Sequence, residues 1–283
     1  MTWNKRYKDD QWAKELGIEI SHASPENNKL SLPFISRNLQ ADGGVLHGGI
    51  IGSLLHDCGL SLAAEAVGEA QHGYLRCLDF QANYLKAAKD CDLTANAQII
   101  RQSRKFLFIQ AEVLDPQSHI VATSRMLFSI TSGETQAKAV QPYLTNEKID
   151  VALASHPMVD MMNANMVERR PGFSVNGSEG GLCRVLVEDL PVNHNYKGEI
   201  SNGAQIFAAD SAGVFSCFGS GQTMTRAATV DLKMTFCAPV RGEGLSVLGE
   251  SLILNDGLVH HQLSIFGATT KDLKAFGTMT LAI

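Results

Sequence analysis

The sequence predicts an α+β fold made twice over, each half an antiparallel sheet wrapped around one long apolar helix. The first observation behind this is an internal repeat. Leu46-His47-Gly48-Gly49-Ile50-Ile51 leads into His56-Asp57-Cys58-Gly59, and Ile200-Ser201-Asn202-Gly203-Ala204-Gln205 leads into Asp210-Ser211-Ala212-Gly213, 154 positions later. Such self-similarity makes the repeated unit, here roughly 140 residues, the organising element of the chain. Second, the helix opening at each glycine motif is apolar nearly all round: Ile50, Ile51, Leu54, Leu55, Cys58, Leu60 and Leu62 leave little polar face. A helix of that kind has to be enclosed. Third, strand-like runs lie on both sides of it in each copy, which is not the alternating order of a parallel nucleotide-binding sheet.

The elements follow in the same order in both copies. A short polar helix comes first, over 9–16 and again over about 158–168. One short strand follows, Lys29-Leu30-Ser31-Leu32-Pro33 in the first copy and Cys183-Arg184-Val185-Leu186-Val187 in the second. The long helices are expected over about 48–66 and 203–218. Next come Leu78-Asp79-Phe80-Gln81-Ala82-Asn83-Tyr84 and Val230-Asp231-Leu232-Lys233-Met234-Thr235-Phe236, now 152 apart. Three further runs close each copy: 92–100, 106–114 and 120–128, then 245–254, 258–267 and 274–283. Short turns such as Asn255-Asp256-Gly257 join them, so each set is an antiparallel meander. Residues 1–132 form the first unit and 143–283 the second. The small, polar stretch from Thr131 to Ala139 marks a linker, set at 133–142.

Composition narrows the function classes. With 45% hydrophobic and 19% charged residues the chain is an ordinary globular protein. Its net charge of −5 contains no long basic run, so neither nucleic acid nor an electrostatic membrane anchor is expected. No window is expected to reach the roughly 18–20 apolar residues of a membrane span, and the polar N-terminus lacks a signal-peptide core. Cysteines 58, 77, 91, 183, 217 and 237 are scattered without a Cys-x-x-Cys pair. Buried thiols in a reducing, cytoplasmic compartment are the expectation, without disulfides. His260-His261 has no acid or cysteine at ligand spacing, so no metal is expected.

Together, Leu46-His47-Gly48-Gly49 opening an apolar helix, an acidic position nine residues after the histidine, and the Asp79-Phe80-Gln81-Ala82-Asn83-Tyr84 and Val230-Asp231-Leu232-Lys233-Met234-Thr235-Phe236 strands resemble the hotdog fold. The resemblance is to the PaaI-like acyl-CoA thioesterases, and it covers both copies. Members of that family pair two hotdog subunits and build active sites across the interface. The tandem therefore resembles such a dimer carried on one chain, a double hotdog. The implied substrate is an acyl or aryl thioester of coenzyme A. No cofactor is implied, since CoA arrives as part of the substrate, and homo-oligomers of double hotdog subunits are expected.

The chemistry suits these residues. A helix N-terminus offers unpaired N–H groups at the positive end of its dipole, and glycine there lets a thioester oxygen come close. Donors aimed at a developing oxyanion are worth roughly 3–4 kcal/mol of barrier. The resemblance gives this role to Gly49 in the first copy and Gly203 in the second, with His47 and Gly48 beside Gly49. It gives the carboxylate that activates water, or attacks, to the position nine residues after the motif histidine, on the opposite copy. Asp210 stands there in the second copy, whereas the first has His56, with Asp57 about 100° further round the helix. Thr229 matches a family position that helps hold the attacking water, where the first copy has Cys77.

One intact hybrid site is therefore expected, from His47, Gly48, Gly49, Asp210 and Thr229. A second, altered one would use Ser201, Asn202, Gly203, His56 or Asp57. Asn195 matches a family asparagine six residues before the motif, and the first copy has Ala41 there. By the same resemblance, Arg104 and Lys105, next to Arg101 at a turn, are expected to meet CoA phosphates. Two other readings stay open at this stage. Loss of the acid from one copy also suits an acyl-CoA-binding or sensing protein without turnover, and some hotdog proteins are hydratases or dehydratases. The alternatives left open for these residues are a buried, hydrogen-bonded polar group at Asp210 and close helix packing at Gly48 and Gly49.

Overall fold

A computed structural model describes residues 3–24, 28–40, 44–130, 150–221 and 227–283. The expected linker at 133–142 and Ala41 lie outside the described residues. Two short helices, α1 (Trp3–Tyr7) and α2 (Gln11–Leu16), open the chain, followed by strands β1 (Glu19–Ala23) and β2 (Asn28–Leu32). The long helix α3 (Gly48–Val67) precedes β3 (Leu75–Tyr84), β4 (Leu93–Gln102), β5 (Phe106–Leu114) and β6 (Ile120–Ile130). The second half repeats this with α4 (Pro157–Arg169), β7 (Phe173–Glu179), β8 (Leu182–Val187), α5 (Asn202–Gly219), β9 (Ala228–Phe236), β10 (Leu245–Asn255), β11 (Leu258–Gly267) and β12 (Leu273–Ala282).

The twelve strands among the described residues form one sheet, in the order β1-β2-β4-β5-β6-β3-β9-β12-β11-β10-β8-β7. The halves join where β3 pairs antiparallel with β9, from Asp79 opposite Thr235 to Asn83 opposite Asp231. That register is self-complementary. Asp79 and Asp231 are repeat equivalents, as are Asn83 and Thr235, so each copy offers the other the same edge, as in a two-fold dimer. The structure corrects one detail: each unit has two strands before its long helix. The outer strands β1 and β7 are short edge strands whose alternation the sequence carries over only a few residues.

The two long helices lie side by side within the sheet. Sixteen residues of α3 are buried, among them His56 and Asp57. At 20 residues α3 is also long and apolar enough to cross a membrane, contrary to the sequence expectation, but sheet and neighbouring helix cover its surface. The N-terminal turn of each long helix meets the second turn of the other. A Cβ added to Gly49 would lie 2.6 Å from the Phe207 Cα, and one on Gly203 would lie 3.0 Å from Ser53 Oγ. Since 203 − 49 and 207 − 53 both equal 154, these are equivalent crossings. Glycine is needed at Gly49 because the facing atom is backbone, which has no rotamer to yield.

Candidate active site

The α3–α5 crossing sets the start of α3 against Asp210, in the third turn of α5. Opposite them, β9 carries a bulge. Asp231 pairs with Thr280 and Thr229 with Leu281, which leaves Val230 as the extra residue. A bulge resets the alternation of a strand, so Thr229 turns toward the helices even though Leu232, three positions on, also faces inward. Leu78 is the matching extra residue on β3.

In the site so formed Asp210 is 1% exposed. Thr229 Oγ1 donates to its Oδ1 at 2.7 Å, and the Gly49 amide donates to its Oδ2 at 2.8 Å. His47 Nδ1 lies 3.1 Å from the same Oδ2 and 3.1 Å from the Gly49 nitrogen. The amide has one hydrogen, and its shorter bond is to the carboxylate. His47 therefore carries a proton on Nδ1 and donates it to Asp210. Burial alone pushes the Asp210 carboxyl pKa up; the His47, Thr229 and Gly49 hydrogen bonds outweigh it and hold the group below the usual aspartate range. A buried carboxylate with three donors is kept ionised and fixed in place.

This geometry alters the roles expected of the two glycines. The Gly49 amide, expected to face the oxyanion, is already bonded to Asp210. Gly48, the first residue of α3, has an amide without a hydrogen-bond acceptor among the described residues. A Cβ built on it would lie 3.1 Å from Asp210 Oδ2 and 3.4 Å from Thr229 Oγ1, so the space before Gly48 is bounded by the carboxylate and the hydroxyl.

A cavity of about 400 Å³ opens from His47, Asp210 and Thr229. Its apolar wall combines Met158, Met161, Met162 and Met166 of α4 with Phe215 and Phe218 of α5. Arg37, Arg169 and Arg170 line it at the other end of α4. There Arg169 Nη1 donates to the Gln40 carbonyl at 3.0 Å and Arg170 Nη2 to the Arg37 carbonyl at 2.6 Å. Arg104 and Lys105 line neither this cavity nor the smaller one; they lie in the turn between β4 and β5. The sequence reading of this segment as a polar helix passes over its methionine spacing, which has the pattern of an ordinary packed helix face.

The equivalent region of the other copy is filled. Trp3, Tyr7 and Trp12 are buried there. Trp3 Nε1 donates to Ser61 Oγ at 2.9 Å, Tyr7 Oη to Asp57 Oδ2 at 2.8 Å and Trp12 Nε1 to Ser53 Oγ at 3.3 Å. What remains is a slot of about 50 Å³ lined by His56, Asp57, Cys77, Asn195 and Asn202 among others. His56 occupies the place of Asp210, with Nδ1 3.0 Å from Asp57 Oδ1 and Nε2 3.3 Å from Asn202 Nδ2. Asp57 faces Tyr7 and His56, and the Gly203 amide bonds to Ser201 Oγ at 3.1 Å. Among the described residues no carboxylate meets the α5 N-terminus as Asp210 meets that of α3. Asn195 closes its own loop, accepting from the amides of Lys197 and Glu199 at 2.8 and 3.2 Å. Burial leads the causes that push the Asp10 carboxyl well up, with the Asp57 charge next.

Comparison with known proteins agrees with this architecture. Residues 43–122 match the thioesterase superfamily. An esterase-named protein of Pasteurella multocida is 26% identical over 142 residues, which is 47% of this chain and 100% of that protein. Among solved structures, the TesB protein of Mycobacterium avium subspecies paratuberculosis superposes with a TM-score of 0.67 at 12% identity, covering 96% of this chain and 98% of its own. A hotdog protein of Alicyclobacillus acidocaldarius gives 0.65 at 13% identity, covering 98% and 97%. The acyl-CoA thioesterase II TesB2 of Mycobacterium marinum gives 0.58 at 13% identity, covering 95% and 96%. At those identities the structures speak for the fold alone, and the similarity to the thioesterase superfamily is confined to residues 43–122. The chain is thus built as two hotdog units in tandem, and residues 43–122 within the first of them are similar to the thioesterase superfamily.

Proposed function

We propose that the protein hydrolyses acyl-CoA thioesters at the single site formed by His47, Gly48, Asp210 and Thr229. The observation that carries this is the ionised, buried Asp210 held at the start of a helix from the other copy, with an unengaged amide and a cavity beside it. In this reading the thioester oxygen accepts from the Gly48 amide, where the helix dipole favours negative charge. Water held near Thr229 and Asp210 attacks the carbonyl carbon and gives a proton to Asp210. The tetrahedral intermediate collapses, the carbon–sulfur bond breaks, and the CoA thiolate takes up that proton. Free acid and CoA leave. Nothing in this sequence calls for a cofactor.

The complete set of donors around Asp210 favours turnover over acyl-CoA binding alone, because mere binding has no use for a fixed buried carboxylate. The test is release of free thiol from a panel of acyl-CoAs, acetyl to palmitoyl with benzoyl and phenylacetyl, by wild type and Asp210→Asn. A loss of about 10²–10⁴-fold in kcat in the variant is expected, the usual scale for a positioned base. Equal rates in both proteins would remove Asp210 from the mechanism. Tight CoA-ester binding with no turnover by wild type would replace hydrolysis with sensing.

A further inference from the structure

The two copies diverge most where their first helices meet the long ones. Trp12 and Met166 are 154 positions apart, as are Tyr7 and Met161, so they are repeat equivalents. In the first copy these aromatic residues fill the space over α3; in the second, methionines leave a cavity of about 400 Å³ over α5. The methionines at 158, 161, 162 and 166 follow the i, i+3, i+4, i+8 spacing of one helix face. Their helix α4 is loosely anchored, burying only Val159 and Met166, and Met161 is 55% exposed. The cavity is directional: the arginines lie toward the C-terminal end of α4, while the ring of His156, its N-cap, lies 6.3 Å from that of Phe218 in a tilted contact. Phe218 is eight residues, about 12 Å, along α5 from Asp210.

We propose that this cavity binds flexible, unbranched aliphatic acyl chains of medium length, and that the methionine face of α4 sets how long a chain fits. The proposal rests on the reading of Asp210 as the hydrolytic site, which places the acyl carbonyl at one end of the cavity. A methylene takes about the volume of a water molecule, roughly 30 Å³, so the cavity holds on the order of a dozen carbons. An aryl acyl group would fill about half, and an unfilled void forfeits dispersion contacts on every side. Methionine is unbranched and polarisable, so it closes around chains of different shape where a rigid wall would not.

The test uses S-alkyl-CoA thioethers, which cannot be hydrolysed, from butyl to hexadecyl, with S-benzyl-CoA, titrated calorimetrically. Affinity of the wild type should rise about two- to fourfold per methylene, the most that burial of a CH₂ supplies, and level off near ten to twelve carbons. S-Benzyl-CoA should bind more weakly than S-heptyl-CoA, which has as many carbons. Met162→Trp should bring the plateau back by several carbons while short chains bind as before, and Met162→Ala should extend it, which covers the case of a tryptophan variant that does not fold. Affinity independent of chain length, tighter binding of the benzyl thioether, or a plateau unmoved in both variants would overturn the proposal. Chain-length-dependent binding without hydrolysis of the matching acyl-CoAs would leave the pocket standing and remove the hydrolytic reading instead.

Discussion

The Gly49 amide donates to Asp210 Oδ2 at 2.8 Å across 161 residues of sequence. One copy thus supplies the helix end and the other the acid, and neither unit carries the pair alone. The bond also separates the duties of the adjacent glycines. Gly49 holds the carboxylate and lets the helices touch, while the Gly48 amide, next to the cavity-lining His47, meets no acceptor among the described residues.

Alanine at the two positions should therefore fail in different ways. The Cβ of Gly49→Ala would lie 2.6 Å from the Phe207 Cα, and forcing helices apart in a packed core costs about 1–3 kcal/mol or more. A lowered Tm is the expected outcome. Gly48→Ala meets only side-chain oxygens, at 3.1 and 3.4 Å, so it should melt near wild type. Its methyl group enters the space assigned to the thioester oxygen, and kcat should fall about 10²-fold or more, as when an oxyanion donor is lost. Thermal melts and thiol release on both variants check the contrast; equal activity losses with equal stability would contradict it.

Thr229→Val tests the carboxylate's electrostatics through pH. The hydroxyl donates to Asp210 Oδ1 at 2.7 Å and is one of the groups that hold the Asp210 pKa down. Removing it raises that pKa, so the acid limb of the kcat/KM profile should move to higher pH. In wild type Asp210 should stay ionised below the ordinary aspartate value of about 3.9. Rates across pH 3–8 check this. A limb that stays in place while the plateau falls would mean that Thr229 touches water or substrate without tuning the acid.

Much of this site was legible because duplication supplies its own internal comparison. Asp210 stood out against His56, and Thr229 against Cys77, with no second sequence needed. The hybrid pairing of Gly49 with Asp210 came from resemblance, since periodicity cannot say which helix faces which. Three features stayed hidden for physical reasons. The partner of the Gly49 amide depends on a crossing distance of a few ångströms. The cavity is a volume between α4 and α5, and the methionine spacing has the same pattern as a packed helix face. The filling of the other copy by Trp3, Tyr7 and Trp12 depends on where two very short helices dock, which local propensity does not determine.

That filling predicts a single working site. His56 is buried with both ring nitrogens engaged by Asp57 and Asn202, and the slot beside it has about 50 Å³. His56→Ala should thus lower stability, by leaving Asp57 and Asn202 short of partners, while kcat per folded chain stays within about twofold of wild type. Active-site titration with melting curves separates the two effects. A drop as deep as that of Asp210→Asn would assign turnover to this site.

The acids beneath the N-terminal helices predict a pH dependence of stability that is separate from catalysis. Asp10 caps α2, accepting from the Ala13 amide at 2.9 Å, and burial with the nearby Asp57 pushes its pKa well above the ordinary value. Its folded pKa exceeds the unfolded one, so the folded state binds the extra proton. The contribution is fully present below the unfolded pKa, about 3.9, and is lost as pH rises through the folded value. Asp10→Asn keeps a capping oxygen, since asparagine serves at this position as well as aspartate, and removes the charge. The variant should gain stability over wild type at pH 8, with the gain shrinking as pH falls toward 4. Denaturant unfolding at pH 4, 6 and 8 measures it, and a difference between the proteins that does not change with pH would show that Asp10 stays ionised in the folded chain.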